Sequence, residues 1–206
     1  MSMHQLNANS RDGVNIVLSG VGGQGVLLAS DIIAEVAMNN GFDAKKSEVH
    51  GMAQRGGSVI SQVRYGEKIY SPLITEGKGD ILIAFEKLEA LRYLQFMKAD
   101  AVVIYNTQQI TPLSVYFSKM EYPRNIAEIC ADKVESVYPV DATRTAETLG
   151  NLKILNTIML GALSNTLEFT TDSWLDVISK RVPKKTIDLN KEAFISGRKL
   201  GLHEND

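Results

Sequence analysis

The chain has 206 residues, of which 22 are basic and 24 acidic, giving a net charge of −2 at pH 7. This balance excludes a strong electrostatic attraction to nucleic acid or to an anionic membrane surface, and no apolar run approaches the ~18 residues of a membrane span. The polar start of the chain lacks the apolar core of a secretory signal, and the single cysteine, Cys130, allows no internal disulfide, so we expect a cytoplasmic protein.

The length and the 44% hydrophobic content fit one folded domain, which we place over residues 13–200, between an N-terminal arm (1–12) and a short tail (201–206). Residues Val14–Ser19 are almost all strand formers, and the apolar periodicity of Val26–Met38 predicts the first helix. The turn between them has the pattern G-x-G-x-x-G, and its candidate ligand-binding residues are Gly20, Gly22, Gly23, Gln24 and Gly25. Such a turn brings a phosphate close to a helix N-terminus, but the same turn can also be purely structural.

A dinucleotide site also needs an acidic residue about 20 positions further on, at the end of the second strand. The second strand is predicted over Phe42–Lys46 and carries Lys45 and Lys46 near that place, with Asp43 too early and Glu48 too late. The sequence therefore disfavours NAD and FAD, whereas a lysine here could serve the 2′-phosphate of NADP.

The rest of the chain alternates between strand and helix signals. A polar loop is predicted over Ser47–Gly57, followed by the alternating strand Ser58–Tyr65. That strand is predicted to turn at Gly66 into a hairpin with Lys68–Tyr70. Further strands are predicted at Asp80–Phe85, Ala101–Tyr105 and Ser136–Val140, and helices at Glu86–Met97, Pro123–Asp132, Leu152–Leu163, Asp172–Lys180 and Lys184–Lys199.

This order predicts an α/β protein: a Rossmann-like, mostly parallel sheet with helices on both faces and an antiparallel edge hairpin. Ligands of such sheets bind outside the carboxyl ends of the strands. The glycine turn, the loop after the second strand and Asn106 are all expected at that edge.

The loop after the second strand contains Arg55 beside Gly56 and Gly57. Arg55 could bind an anion within a nest of backbone N–H groups, or it could pair with an acid on another element or subunit. Glu48 and His50 could form an acid–base pair, or could simply make surface hydrogen bonds.

No catalytic or metal-binding set emerges from the remaining residues. One cysteine cannot supply the four thiolates of a [4Fe–4S] cluster, and two of the three histidines lie in the tails. We interpret Cys130 as a small core residue, and a capping role at a helix start accounts for Glu86 and Glu89.

Five stretches of the sequence resemble the gamma domain of the 2-oxoacid:ferredoxin oxidoreductases. They are Gly20–Val26, Ser47–Ser58 (SEVHGMAQRGGS), Gly77–Asp80, Phe85–Ala90 and Asn156–Leu163. The resemblance covers about residues 14–200, and the second stretch is the most specific. Within the family, the chain is most similar to the small beta subunit of the indolepyruvate-type enzymes, which is this domain on a separate chain.

The resemblance implies a two-subunit enzyme that decarboxylates an aryl 2-oxoacid such as indolepyruvate, passes electrons to ferredoxin and forms an acyl-CoA. Thiamine diphosphate and the [4Fe–4S] clusters would reside on the large catalytic subunit, and coenzyme A would be a substrate of the complex. This chain would pack against that subunit without a catalytic residue of its own, with Gly20–Gly25 and Arg55–Gly57 in a shared pocket or interface. The alternative is a self-standing Rossmann-type reductase that binds a nucleotide.

Overall fold

The computed structural model describes residues 13–50, 57–111 and 121–201. The strands are β1 (Val14–Val21), β2 (Asp43–His50), β3 (Ser58–Gly66), β4 (Gly79–Ala84), β5 (Met97–Asn106) and β6 (Ser136–Val140). The α-helices are α1 (Val26–Asn39), α2 (Lys87–Arg92), α3 (Ile126–Ala131), α4 (Ala142–Thr148), α5 (Leu155–Leu163), α6 (Thr171–Arg181) and α7 (Ile187–Leu200). The strands form one sheet in the order β2-β3-β1-β4-β5-β6.

Strands β1, β4, β5 and β6 pair in parallel, whereas β3 lies between β1 and β2 and is antiparallel to both. Strand β2 therefore runs in the same direction as β1 without being its neighbour. Two strand spacings, about 10 Å, separate them. This is a departure from the Rossmann arrangement, in which the first two strands pair directly.

Both faces of the sheet are covered by helices, as the sequence predicts. Alternate residues of β1 point to opposite faces, so Ile16 and Leu18 pack in the larger core cluster with α1, α5, α6 and α7. Val17 instead packs with Leu82 in a second cluster, which includes Ile126 and Cys130 of α3. This burial on both faces explains why β4 and most of β5 are apolar without alternation.

The predicted hairpin at Gly66 is wrong, although the sheet does end in an antiparallel hairpin. Its strands are β2 and β3, because Ser47–His50 continue β2 instead of belonging to the loop. Residues Lys68–Tyr70 do not form a strand. The N–H of Ile69 donates to the Asp43 carboxylate at 2.9 Å, so this segment is bonded to a side chain at the start of β2 instead of pairing with the sheet.

One predicted helix is shorter than expected, and one helix of the structure was not predicted. The run Glu86–Met97 is not one helix: α2 ends at Arg92, a 3₁₀ turn covers Leu94–Phe96, and Met97 already belongs to β5. Helix α4 is not predicted by the sequence; its first turn is capped by the Asp141 carboxylate, which accepts the N–H of Arg144 at 3.2 Å.

Smaller differences affect the last three helices. Residues Leu152–Ile154 and Lys184–Thr186 are 3₁₀ turns that precede α5 and α7. The sequence predicts Thr171 or Asp172 as the cap of the helix that forms α6, but the cap is Thr170, whose hydroxyl accepts the N–H of Ser173. Element ends depend on capping geometry, which periodicity does not report.

Helices α5 and α7 cross at a glycine contact on the larger core face. A Cβ on Gly197 would lie 1.9 Å from the carbonyl oxygen of Ile158, and one on Gly161 would lie 2.1 Å from that of Phe194. Both obstacles are backbone atoms, which cannot move aside as a side-chain end can. The absence of a side chain at these two positions therefore sets how close the helices lie.

We expect Gly197→Ala to lower the free energy of unfolding by about 1–3 kcal/mol, because a methyl group would push α5 and α7 apart. This cost exceeds the ~1 kcal/mol by which Ala is favoured over Gly in a helix. Urea denaturation measures it, with Ser196→Ala on the same helix as the matched control. Equal stability of Gly197→Ala and the control would show that the helices can separate freely.

Candidate functional site

The carboxyl ends of β1, β4, β5 and β6 and the start of β3 meet at one edge of the sheet, which we call the carboxyl edge. The glycine turn follows β1 there, residues Phe85–Glu89 follow β4, and Asn106 ends β5. As predicted from the sequence, the glycine turn and Asn106 lie together at this edge. It is the region in which an α/β protein holds ligands.

The side chain of Gln24 fills the crevice between the ends of β1 and β4. Its Oε1 accepts the N–H of Val21 at 2.7 Å, and its Nε2 donates to the carbonyl of Phe85 at 3.0 Å and to Oε1 of Gln108 at 3.1 Å. A Cβ on Gly20 would lie 2.9 Å from the same Gln24 oxygen. The first glycine of the motif therefore makes room for a side chain of the protein itself.

At two other positions of the turn, the backbone conformation favours glycine. Gly23 and Gly25 adopt φ values of +99° and +80°, in the left-handed region that other residues rarely occupy. A Cβ on Gly25 would also lie 2.9 Å from Nδ2 of Asn156. The N–H of Gly22 donates to the carbonyl of Gly57 at 3.0 Å, which joins the turn to the start of β3.

The surroundings of the turn do not fit a Rossmann dinucleotide site. Strand β3 separates β1 from β2, so a ribose-binding residue on β2 would lie about 5 Å, one strand spacing, further from the turn than in a Rossmann protein. The two lysines considered for NADP are paired: Lys45 with Asp43 at 3.3 Å, and Lys46 with both Asp31 and Glu48. Pairing with these two acids raises the pKa of Lys46, against the opposing effect of its burial.

Arg55 and Gly56 lie outside the described residues, so the anion site predicted there stays a prediction. Gly57 lies at the carboxyl edge, where its carbonyl bonds to the glycine turn. The Glu48 carboxylate forms an ion pair with Lys46, but the side chain of His50 lies outside the described part of the structure, so the acid–base pair of these two residues stays a prediction.

The buried carboxylate of Glu86 organises the loops that follow β4 and β5. One oxygen accepts the N–H groups of Leu88 at 2.7 Å and Glu89 at 3.2 Å, which confirms the predicted cap of α2. The other accepts the N–H of Ile110 at 2.8 Å and the hydroxyl of Tyr122 at 2.6 Å. Four donors satisfy this carboxylate, so its role here is structural.

Glu89 does more than the capping role expected from the sequence. Its carboxylate accepts the Ser58 hydroxyl at 2.5 Å and Nε of Arg92 at 3.1 Å, and Ser58 in turn bonds to the Tyr93 hydroxyl at 2.9 Å. Burial raises the pKa of the Glu89 carboxyl, with a smaller contribution from the nearby Glu86, while the bonds to Ser58 and Arg92 act in the opposite direction. This network connects α2 to the first residue of β3. The one feature of the sequence that points to it is an acidic residue within a mostly apolar stretch.

Asn106 is also a structural residue. Its Nδ2 donates to the carbonyl of Phe85 at 3.1 Å and lies 2.9 Å from the Thr143 hydroxyl, which connects β4, β5 and α4. Cys130 is fully buried, as predicted, and burial raises the pKa of its thiol to about 11, so the thiolate is scarce at neutral pH.

Residues 13–50, 57–111 and 121–201 contain no group of three or more metal-ligating side chains. No helix within these ranges is long and apolar enough to cross a membrane. Each buried acid described at the carboxyl edge is bonded to its neighbours. The arrangement can therefore present a polar surface of defined shape to another molecule. Among the residues described above, it contains no nucleophile paired with a base.

Comparison with protein families gives a match over nearly the whole chain. The model described as "Pyruvate ferredoxin/flavodoxin oxidoreductase" matches residues 15–200. Indolepyruvate oxidoreductase subunit IorB of Thermococcus kodakarensis is 40% identical over 192 residues, which cover 90% of this chain and 94% of the relative. The 2-oxoglutarate synthase subunit KorC of Methanothermobacter marburgensis is 29% identical, with 90% of this chain and 95% of the relative covered.

Solved structures share the fold. The gamma subunit of a keto/oxoacid ferredoxin oxidoreductase from Geobacter sulfurreducens has a TM-score of 0.66 and 24% identity, with 92% of this chain and 98% of that chain covered. A 2-oxoglutarate:ferredoxin oxidoreductase chain from Magnetococcus marinus has a TM-score of 0.73 and 23% identity, with 94% of this chain covered. The match spans only 32% of the Magnetococcus chain, so the fold is there part of a much longer polypeptide.

We expect Gln24→Ala to lower the free energy of unfolding by about 1–3 kcal/mol, because it leaves the Val21 N–H without its partner and removes one of the two donors to the Phe85 carbonyl. Chemical denaturation measures the change. Gln109→Ala, at an exposed position of the same edge, is the matched control and should change stability by no more than about 0.5 kcal/mol. A Gln24 variant as stable as the control would show that water replaces the amide without cost.

The raised pKa of Glu89 predicts a pH-dependent effect of Glu89→Gln. The folded wild-type protein favours the protonated carboxyl, so it loses stability as the pH rises from 4.5, the ordinary value, through the raised pKa. Glutamine does not ionise and avoids this loss. The stability of Glu89→Gln relative to wild type should therefore increase with pH in urea titrations, whereas that of the exposed control Gln109→Ala, which removes no ionisable group, should not. A constant difference across pH would contradict the prediction.

Proposed function

This chain belongs to the pyruvate ferredoxin/flavodoxin oxidoreductase family and is the small, gamma-type subunit of a 2-oxoacid oxidoreductase, and we propose that the enzyme it completes oxidises an aryl pyruvate, with indolepyruvate as the substrate. The proposal is supported by the higher identity to the indolepyruvate-type subunit, 40% against 29% for a subunit of a 2-oxoglutarate enzyme. A self-standing reductase receives no support from these relatives, which are subunits of multi-chain oxidoreductases.

The proposed complex divides the chemistry between two chains. Thiamine diphosphate and the [4Fe–4S] clusters reside on the large catalytic subunit, where ferredoxin collects the electrons and coenzyme A accepts the acyl group. The residues of this chain do not fit either cofactor: the one cysteine is a buried thiol of raised pKa, and the sequence lacks a GDG…N thiamine-type pattern. We place the complex in the cytoplasm.

The carboxyl edge is the part of this chain that we assign to the shared pocket or interface. Gly20, Gly22, Gly23, Gln24 and Gly25 form its rigid centre, and Arg55, Gly56 and Gly57 belong to the loop between β2 and β3. The support is the bond between Gly22 and Gly57, which joins the two segments. An arginine beside glycines suits bidentate pairing with a carboxylate or a phosphate, such as those of coenzyme A.

We predict that the purified chain alone is colourless and inactive, and that adding the large catalytic chain of the same organism yields an active complex. The complex should reduce ferredoxin with indolepyruvate and coenzyme A, at a higher kcat/KM than with pyruvate or 2-oxoglutarate. Spectra and steady-state kinetics measure this. A flavin spectrum or oxoacid oxidation by the chain alone would contradict the division of chemistry, and a preference for pyruvate would contradict the substrate.

The same reconstituted complex tests the carboxyl edge. Arg55→Ala should weaken assembly or raise the KM for coenzyme A, because a bidentate cation is lost, while the exposed-lysine control Lys191→Ala on α7 should do neither. An Arg55→Ala complex that assembles and turns over like the wild type would place the interface elsewhere.

A further inference from the structure

A second surface, away from the carboxyl edge, exposes apolar side chains. Tyr70 and Leu73 have relative exposures of 88% and 60%, the highest of the large hydrophobic residues in the described part of the chain. They belong to the irregular segment between β3 and β4 and are flanked by Ile69 and Ile74, which are buried at 3% and 5%. The segment is thus anchored at both ends while its middle presents two apolar side chains to water.

Side chains of β2 and β3 hold the backbone of this segment in place. The Asp43 carboxylate accepts the N–H of Ile69 at 2.9 Å, and Oε1 of Gln62 accepts the N–H of Ile74 at 2.7 Å. Between them, Nη1 of Arg64 donates to the carbonyl of Ser71 at 2.8 Å. A segment fixed in this way loses little conformational entropy when another molecule covers it.

A cationic cavity of about 260 Å³ adjoins Leu73. Its walls include Arg64, Lys78 and Lys98, and Nε of Arg64 is fixed by Oδ1 of Asn15 at 2.7 Å. Lys98 pairs with Asp80, whereas Arg64 and Lys78 form no ion pair with any described residue. The cavity therefore keeps an excess of positive charge, although the whole chain carries −2.

We propose that Tyr70, Leu73 and the cationic cavity form a docking surface for the large catalytic subunit, which places a carboxylate side chain in the cavity and covers the two apolar residues. This inference rests on the proposed function, because it needs that partner. Tyrosine and arginine are enriched in protein interfaces, and an excess of positive charge that becomes buried on docking requires an acidic group on the partner.

The position of the surface suits a second contact. Asn15 and Asp80 stand at the starts of β1 and β4, so the cavity lies at the edge of the sheet opposite the glycine turn. A partner bound there leaves the carboxyl edge accessible. The longer Magnetococcus chain offers a parallel, since the same fold is there joined to about twice its own length of further polypeptide.

The test measures the affinity of the full chain for the purified large subunit of the same organism. Tyr70→Ser/Leu73→Ser should raise the Kd by about tenfold or more, whereas Leu152→Ser, a control that truncates an apolar side chain of similar exposure (58%), should leave it unchanged. Lys78→Glu should also weaken binding, more at low salt than at high salt, and Lys191→Glu should not. Thermal unfolding of each isolated variant should match the wild type, because these side chains are exposed.

The outcomes separate this inference from the proposed function. If the wild-type chain does not bind the large subunit, the proposed function fails and this inference with it. If the wild type binds and the double variant binds equally well, only the docking surface is wrong. If the isolated wild-type chain sediments as a dimer and the double variant as a monomer, the surface is occupied by a second copy of the chain, which also overturns the proposal.

Discussion

The hydrogen bonds of one side-chain amide, that of Gln24, connect the parts of the carboxyl edge. They reach the end of β1, the residue after β4 and the segment after β5, three parts of the chain that are distant in sequence. Gly20 must lack a side chain to leave room for this amide. The glycines of the turn must adopt left-handed φ values so that the turn brings the amide back over β1. In nucleotide-binding proteins this motif binds a phosphate. Here the Gln24 side chain occupies the crevice of the turn, which suits a rigid surface better than a nucleotide pocket.

Around this centre, two buried acids connect the neighbouring segments of the chain. Glu86 joins the loops after β4 and β5, and Glu89 connects α2 to the start of β3. Both carboxylates are satisfied by bonds within the chain, so each is a structural group of this polar edge. An edge held in this way can shape a neighbouring active site while contributing no reacting group.

The sequence predicted those elements whose signal is local. The strict alternation of Ser58–Tyr65 and the apolar runs of β4 and β5 gave strands in the right places, and helices on both faces followed from their order. Pairings between residues that are distant in the chain could not be predicted from the sequence. The bond from Ser58 to Glu89 spans 31 positions, and β3 pairs not only with the preceding β2 but also with β1, from which α1 and β2 separate it in the chain. Helix α4 has only seven residues, too few to show a clear apolar periodicity, so it was missed.

The insertion of β3 between β1 and β2 has a consequence for the order in which the chain can fold on the ribosome. In a Rossmann protein the first strand, helix and second strand pair as soon as they are made, but here β1 and β2 never touch through backbone bonds. Strand β1 gains its first neighbour only when Ser58–Gly66 has emerged, and its second only with Gly79–Ala84. Until then α1 has no completed sheet to cover. The amino-terminal third of the nascent polypeptide therefore leaves the exit tunnel with unpaired strand edges, and such edges are what chaperones protect.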